Sequence, residues 1–315
     1  MGFLRSGVWH GTDQDQIGAK GWEPRIEQFK GLVTAGAADQ DGELPAEPGR
    51  YHLIVCPGCP LSHRTLILHR LKGLEGVVSV SSVRPIMGEN GREFGTAEAV
   101  VADPVTGASF LHELYRDMDP DFTGRDATPV LWDRKTGKIV SNTYRDIFSM
   151  LNRAFDAFAD HSLDLQPVEL KTAIDDELAR LSSGILGVVY RCGFSRSQTE
   201  YEAHATTLGE TVRRLAADLE DRPFLLGDRI TEPDIALFVC LVRYDAIYVP
   251  LFRCTRERIE DHPALTRYIT RIMNLSGVRQ TFDLKLTMTH YFASHAHINP
   301  TRIVPLPPRL SWWTP

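Results

Sequence analysis

Residues 51–83, "YHLIVCPGCPLSHRTLILHRLKGLEGVVSVSSV", constrain most tightly what this chain can fold into. Tyr51–Val55 is a short apolar run of strand type, cut off by the turn Cys56-Pro57-Gly58-Cys59-Pro60. Leu61, Leu66, Leu68 and Leu71 then fall at the spacing of an amphipathic helix that stops near Gly73, and residues 76–83 predict a second strand. Strand, helix and strand in this succession make a βαβ unit, hence a parallel pair.

The stretch 84–125 has one helical piece, around 110–118, and is too long for an ordinary connection; it reads as an insertion with a functional or lid role. "TPVLWDRKTGKIVSN" then predicts a strand over 129–132, a turn over 134–137 and a strand over 138–140, with a helix over 143–155 to follow. That order is the order of the thioredoxin fold. There the Thr128-Pro129 bond, at the mouth of the third strand, is expected in cis, leaving the preceding backbone free to pair with a thiol ligand.

Past about residue 165 the strand signals vanish, and helices are predicted over 170–186, 195–219, 232–248 and 264–274. In "ITEPDIALF" Thr231 can cap its helix and Asp234 can complete the capping box. The expected organisation is an extended lead-in over 1–50, a thioredoxin-like α/β domain over 51–160 with the insertion at about 84–125, an all-α domain over 161–290, and a Pro-rich tail over 291–315 packing on the surface.

A chain of 315 residues, 43% hydrophobic and 24% charged, can bury the cores of two domains. Its net charge of -6 comes from 41 acidic and 35 basic residues spread along the chain, without the basic stripe of a nucleic-acid binder, which leaves small molecules as the expected partners. No apolar run is expected to approach the roughly 18 to 20 residues that span a bilayer, and residues 1–20 lack the basic-then-apolar pattern of a leader, so a cytoplasmic protein without a membrane partner is expected. The basic residues are 28 Arg and 7 Lys, a bias compatible with a GC-rich genome.

Five cysteines are too few and too odd for a disulfide framework. A zinc knuckle would need a second close pair, but Cys192, Cys240 and Cys254 are isolated, and His290, His295 and His297 have no carboxylate or thiol nearby in sequence; no metal is expected. Between Cys56 and Cys59 the helix decides. Pro60 suits the first helical position, where a missing N–H costs nothing, which makes Cys59 the N-cap. A thiolate there meets unpaired N–H groups and the positive helix end, the setting that lowers a cysteine pKa to about 3.5 to 7.5. Cys56, at the strand end, is expected to gain no such help. Read from Cys59 the motif is Cys-Pro-Leu-Ser, a monothiol with Ser62 where a resolving cysteine would stand. A working Cys56/Cys59 dithiol and an inert turn pair remain as alternatives.

With both kinds of domain in place, the chain resembles the glutathione transferases, and more closely their xi class, the glutathionyl-hydroquinone reductases. "PAEPGRYHLIV" resembles that family's lead-in, "CPLSHRTLILHRLKGLE" its Cys-Pro-Trp-Ala-His-Arg active-site helix, and "PDFTGRDATPVLWDRKTGKIVSN" its cis-proline segment. "VVYRCGFSRSQTEYE", "FLLGDRITEPDIALFVCLVRYDAIYVPLFRC" and "HYFASHAHINPTRIVPLPP" are similar to its helical domain and C-terminal tail. The resemblance implies an all-α glutathione-transferase C-terminal domain, a homodimer, and a two-step exchange. Cys59 attacks the sulfur of a thiol conjugate of a quinone or related aromatic, and a second low-molecular-weight thiol resolves the mixed disulfide. It implies catalytic roles for Tyr190 and Tyr291, whose hydroxyls would hold the oxygens of the aromatic ring.

Three departures from the family fall in one place. Leu61 and Arg92 stand where it carries tryptophans, and Thr143-Tyr144 replaces a Glu-Ser pair that grips the γ-glutamyl end of glutathione. Asp146 is a turn away, and Arg145 would repel an ammonium. Leu61, Arg92, Thr128, Pro129, Thr143 and Tyr144 make the expected thiol-binding set. The co-substrate is expected to be glutathione or, given the lost acid, a thiol without a free α-ammonium such as mycothiol. A binding protein that has lost thiol turnover is the reading from a different functional class.

Overall fold

The computed structural model describes residues 2–11, 28–36, 43–95 and 105–313; the expectations for 1–50 and 84–125 lie in part outside these residues. The chain forms two compact units, one of Met1–Leu163 with Thr281–Ser294 and the other of Asp164–Gln280 with His295–Pro315.

In the first unit β1 (Phe3–Arg5) pairs antiparallel with β2 (Val8–His10), and β3 (Leu32–Thr34) pairs parallel with β4 (Glu43–Pro45). The main sheet and the helices that accompany it run in the order β5 (Tyr51–Val55), α1 (Pro60–Leu71), β6 (Ser79–Ser82), α2 (Leu111–Met118), β7 (Val130–Asp133), β8 (Lys138–Ser141) and α3 (Tyr144–Arg153). Its strand order is β6-β5-β7-β8, with β5 and β6 parallel and β7 antiparallel to both neighbours. The Thr128-Pro129 bond is cis, as expected. Burial of Ile54, Val83, Leu111, Phe122 and Val130 fills one core of this unit. The four three-residue strands of the lead-in were not expected: elements so short carry no periodicity. Phe3 and Leu4 are nonetheless fully buried, and the N–H of Gly31 donates to the carbonyl of Val140 at 2.8 Å.

The second unit is helical: α4 (Lys171–Leu181), which runs on through a π-helical turn at Ser182–Leu186, α5 (Val188–Phe194), α6 (Gln198–Asp218), α7 (Glu232–Arg243), α8 (Val249–Phe252) and α9 (Pro263–Met273). The expectation that no apolar run approaches membrane-spanning length is corrected here. The helical run Glu232–Phe252, α7 to α8, is long and apolar enough by composition to cross a membrane, and 89% of its apolar window is buried within the fold, as in the core helix of a globular domain. α5 escaped the sequence reading because its seven residues are too few for a clear period.

The last helix, α10 (Leu284–Ser294), groups with the first unit. This corrects the expected boundary between 290 and 291, which falls inside that helix. Nine of its eleven residues are buried, so it shows no polar stripe and no amphipathic signal. Beyond it the chain is irregular over 302–310, with Leu306 fully out in solvent, and is pinned in the second unit by buried Leu310 and Trp312 and by Ser311 on the Glu260 carboxylate.

Candidate active site

β5 ends at Val55 and α1 begins at Pro60, so the chain must turn within four residues. Cys59 takes the N-cap position with extended backbone, Pro60 follows in the first turn, and that turn holds no acidic residue to compete with an anion. The Cys59 side chain makes no cap bond; its thiol, half-buried, donates to the carbonyl of Thr128 at 3.7 Å. Cys59, Thr128 and cis Pro129 are thus brought together by the meeting of α1 with the segment entering β7.

Cys56 is fully buried. It does not go without help, as the sequence reading expected: its sulfur receives the N–H groups of Gly58 and Cys59 and lies within hydrogen-bonding reach of Arg92. Burial nevertheless outweighs these and pushes the Cys56 thiol up from its ordinary value. His290 of α10 lies against it, Nδ1 to Sγ 3.7 Å. The same Nδ1 is 2.6 Å from the carbonyl of Pro85, which can only accept. Nδ1 therefore carries the proton and cannot take one from Cys56. Gly58 is needed here for space, since a Cβ at this position would come within 2.1 Å of the His290 ring.

Arg92 lies in the insertion and pairs with Asp126, its Nη1 2.7 Å from Oδ1 and 2.7 Å from the Asp126 main-chain oxygen. Burial works against the cation, but Asp126 and the nearby thiols of Cys56 and Cys59 outweigh it and hold Arg92 above its ordinary value. Asp126 was missed by sequence reasoning, and His290 was weighed there only as a metal ligand. The only local signals were that Asp126 sits two residues before Thr128-Pro129 and that His290 precedes Tyr291.

At the start of α3, Thr143 is the N-cap, but its hydroxyl makes no cap bond; Oγ1 is buried with no hydrogen-bond partner. The Tyr144 hydroxyl accepts from Nη1 of Arg64 at 3.2 Å, and that guanidinium lies 5.3 Å over the Tyr144 ring. A buried cation from α1 therefore stands where an ammonium would need an acid. Arg145 is exposed and Leu61 half-buried.

Tyr291, on α10, is 1% exposed and stands edge-on to His290 in the same unit as Cys59. Tyr190 belongs to the second unit, where α5 sets it in an aromatic cluster with Phe194, Tyr248 and Phe252. His295 and His297 pack against Phe194 there. Among the described residues no group of three or more His, Cys, Asp or Glu side chains is placed to hold a metal ion.

Residues 198–271 match the sequence profile of the glutathione S-transferase C-terminal domain. The chain is 40% identical over 309 residues to the glutathionyl-hydroquinone reductase PcpF of Sphingobium chlorophenolicum, covering 98% of this chain and 96% of that one. Among solved structures it superposes on a xi-class glutathione transferase from Natrialba magadii with a TM-score of 0.93 at 35% identity, over 100% of this chain and 96% of that one. It superposes on the glutathione-bound structure of YqjG, a glutathione transferase homologue of Escherichia coli K-12, with a TM-score of 0.89 at 37% identity, over 99% and 97% of the two chains.

Proposed function

The chain belongs to the xi class of glutathione transferases, the class of the glutathionyl-hydroquinone reductases, and from that premise we propose that it reduces thiol conjugates of quinones or related aromatics through Cys59. The observation that carries this reading is the half-buried Cys59 thiol at the start of α1, facing the carbonyl that precedes cis Pro129. In the first step the Cys59 thiolate attacks the conjugate sulfur, and a sulfur–sulfur bond forms as the sulfur–aryl bond breaks. The electron pair goes to the ring carbon, which takes a proton, and hydroquinone leaves. In the second step a free thiolate attacks the mixed disulfide, giving a symmetric disulfide and restoring Cys59. Tyr190 and Tyr291 hold the ring oxygens and supply the proton, a role suited to phenols.

Mixing the protein with one equivalent of conjugate and no second thiol tests this. Peptide mass spectrometry should find the thiol adduct on Cys59 and stoichiometric hydroquinone in solution. Hydroquinone released with Cys59 unmodified would overturn the mechanism. An adduct that collapses to a Cys56–Cys59 disulfide would establish the dithiol reading, which the burial of Cys56 disfavours.

A changed co-substrate is favoured by one observation: the α3 start offers the unpartnered Thr143 hydroxyl and the Arg64–Tyr144 pair in place of an acid. An ammonium left unpaired there costs about 1 to 3 kcal/mol, roughly ten- to a hundredfold in affinity. A thiol with an acylated amine, such as mycothiol, escapes that cost. Resolution of the Cys59 mixed disulfide by glutathione, mycothiol and a simple thiol, at equal thiolate concentration, decides between them. Glutathione fastest and saturating below millimolar concentration would make glutathione the co-substrate.

A further inference from the structure

We propose that His290 is a positioning residue that keeps this a one-thiol site: its ring, laid over the turn between β5 and α1, holds Cys56 away from a mixed disulfide on Cys59, so that an external thiol and not Cys56 resolves it. The inference rests on Cys59 as the thiol that forms that disulfide, but its test needs no quinone conjugate.

A Cys-Pro-Gly-Cys turn at a helix start has the makings of a dithiol. Both cysteines are free thiols, and a bond between them requires Cβ atoms about 3.5 to 4.5 Å apart. Whether the turn can reach that geometry depends on its joints. Pro57 has its φ fixed by its own ring, and Pro60 is already in the first turn of α1. The Cys59 N–H donates to the Cys56 carbonyl at 3.0 Å, and the Cys59 carbonyl accepts from the His63 N–H at 2.9 Å. Gly58, without a side chain, is the joint that remains. His290 lies on it: a Cβ added at Gly58 would meet Cγ, Cδ2 and Cβ of His290 at 2.1, 2.2 and 2.4 Å as its three nearest contacts. The same ring stands 3.7 Å from the Cys56 sulfur, while the Cys59 sulfur turns to the Thr128 carbonyl at 3.7 Å. The two sulfurs are thus held by different partners on different elements.

A ring acts as a stop only if it is itself held. His290 Nδ1 donates to the Pro85 carbonyl at 2.6 Å. One turn further along α10, Ser294 Oγ accepts the Met87 N–H at 3.0 Å, so the helix is fastened twice to the segment that follows β6. Where the chain approaches α10, Thr281 Oγ1 lies 3.0 Å from Nε2 of His63 on α1, and the His63 ring stacks on Phe282 at 5.6 Å. The other side is fixed as well, since the Cys56 N–H donates to Ser62 Oγ at 3.2 Å. To reach Cys59, the Cys56 sulfur must leave the His290 ring, and any rotation at Gly58 works against a ring that is bonded in place.

The test is the yield of coloured thiolate from dithiobis-nitrobenzoate, a symmetric disulfide, with peptide mass spectrometry, for wild type, His290→Ala, His290→Phe and the double variant His290→Ala/Cys56→Ala. The Cys59 thiolate attacks the reagent, a sulfur–sulfur bond to Cys59 forms as the reagent's own breaks, and one coloured thiolate leaves. When Cys56 then loses its proton to solvent and attacks the Cys59 sulfur, a Cys56–Cys59 bond forms and a second thiolate leaves. Wild type should release about one equivalent and keep the adduct on Cys59. His290→Ala should release about two, the second at least about tenfold faster than the wild-type adduct decays, because a thiol free to reach its target within one chain outpaces an external one. Adding Cys56→Ala should return the yield to about one, whereas a loosened fold would go on to expose Cys192, Cys240 and Cys254. His290→Phe, which keeps a ring over Gly58, should keep most of the adduct. A wild-type adduct that closes to the Cys56–Cys59 disulfide, or an adduct equally long-lived in wild type and His290→Ala, would overturn the proposal. If His290→Ala does not fold, His290→Asn carries the test: it keeps a donor for Pro85 but withdraws the ring, and an adduct as long-lived as that of wild type would overturn the proposal.

Discussion

At the start of α7 the Asp234 carboxylate accepts from the Thr231 N–H and hydroxyl, each at 2.9 Å, from the Leu225 N–H at 2.8 Å and from the Tyr268 hydroxyl at 2.9 Å. At the start of α3 a threonine occupies the same N-cap position, yet its hydroxyl is buried with no partner, and at the start of α1 the cap is a cysteine whose side chain bonds no helical N–H. All three helix starts leave first-turn N–H groups without intrahelical partners, fewer in α1 and α7, where Pro60 and Pro233 carry none. α7 closes them with its own side chains and gains stability. α1 and α3 leave them open, and these are the two starts that flank the expected thiol site. The difference separates a cap that holds the fold from two that leave their helix starts without a side-chain bond.

The largest way to break this comparison is at the α1 cap. Cys59→Ala should reduce turnover at least a thousandfold, while Cys56→Ala keeps most of it, measured as hydroquinone release under steady-state conditions. Equal losses would mean that the two cysteines act as one dithiol. Next comes the α3 start. Replacing Thr143-Tyr144 with Glu-Ser should speed resolution of the Cys59 mixed disulfide by glutathione about ten- to a hundredfold, because an ammonium regains its acid. No change in the glutathione rate would show that α3 does not select the thiol.

Stability separates the caps further. Thr231→Ala, which removes a buried hydroxyl from the Asp234 network, should cost about 1 to 2 kcal/mol in urea unfolding. Thr143→Ala removes a hydroxyl that bonds nothing, and stability should stay the same or rise by under about 1 kcal/mol. Should the two alanine variants lose equal stability, Thr143 caps its helix in solution and the distinction fails.

Much of this was legible in the residues. The β5–α1–β6 succession, the β7–β8 hairpin, the position of Cys59 at a helix start and the Thr231/Asp234 cap follow from rules that act within about ten residues: strand and helix periodicity, proline at the first turn, reciprocal capping; cis Pro129 was expected from the element order of the thioredoxin fold. α10 was not legible, because a helix buried on nearly every side has no polar face to mark its period.

Sequence by itself therefore determined which cysteine would stand at a helix start, since that depended on Cys59 and Pro60 alone. Tertiary structure decided the state of its neighbours. Cys56 meets a histidine 234 residues away, Gly58 is pressed by that same ring, and Arg92 finds Asp126 across 34 residues. Burial and charge act through space, and one chain without a fold records the order of its residues but not the distances between them.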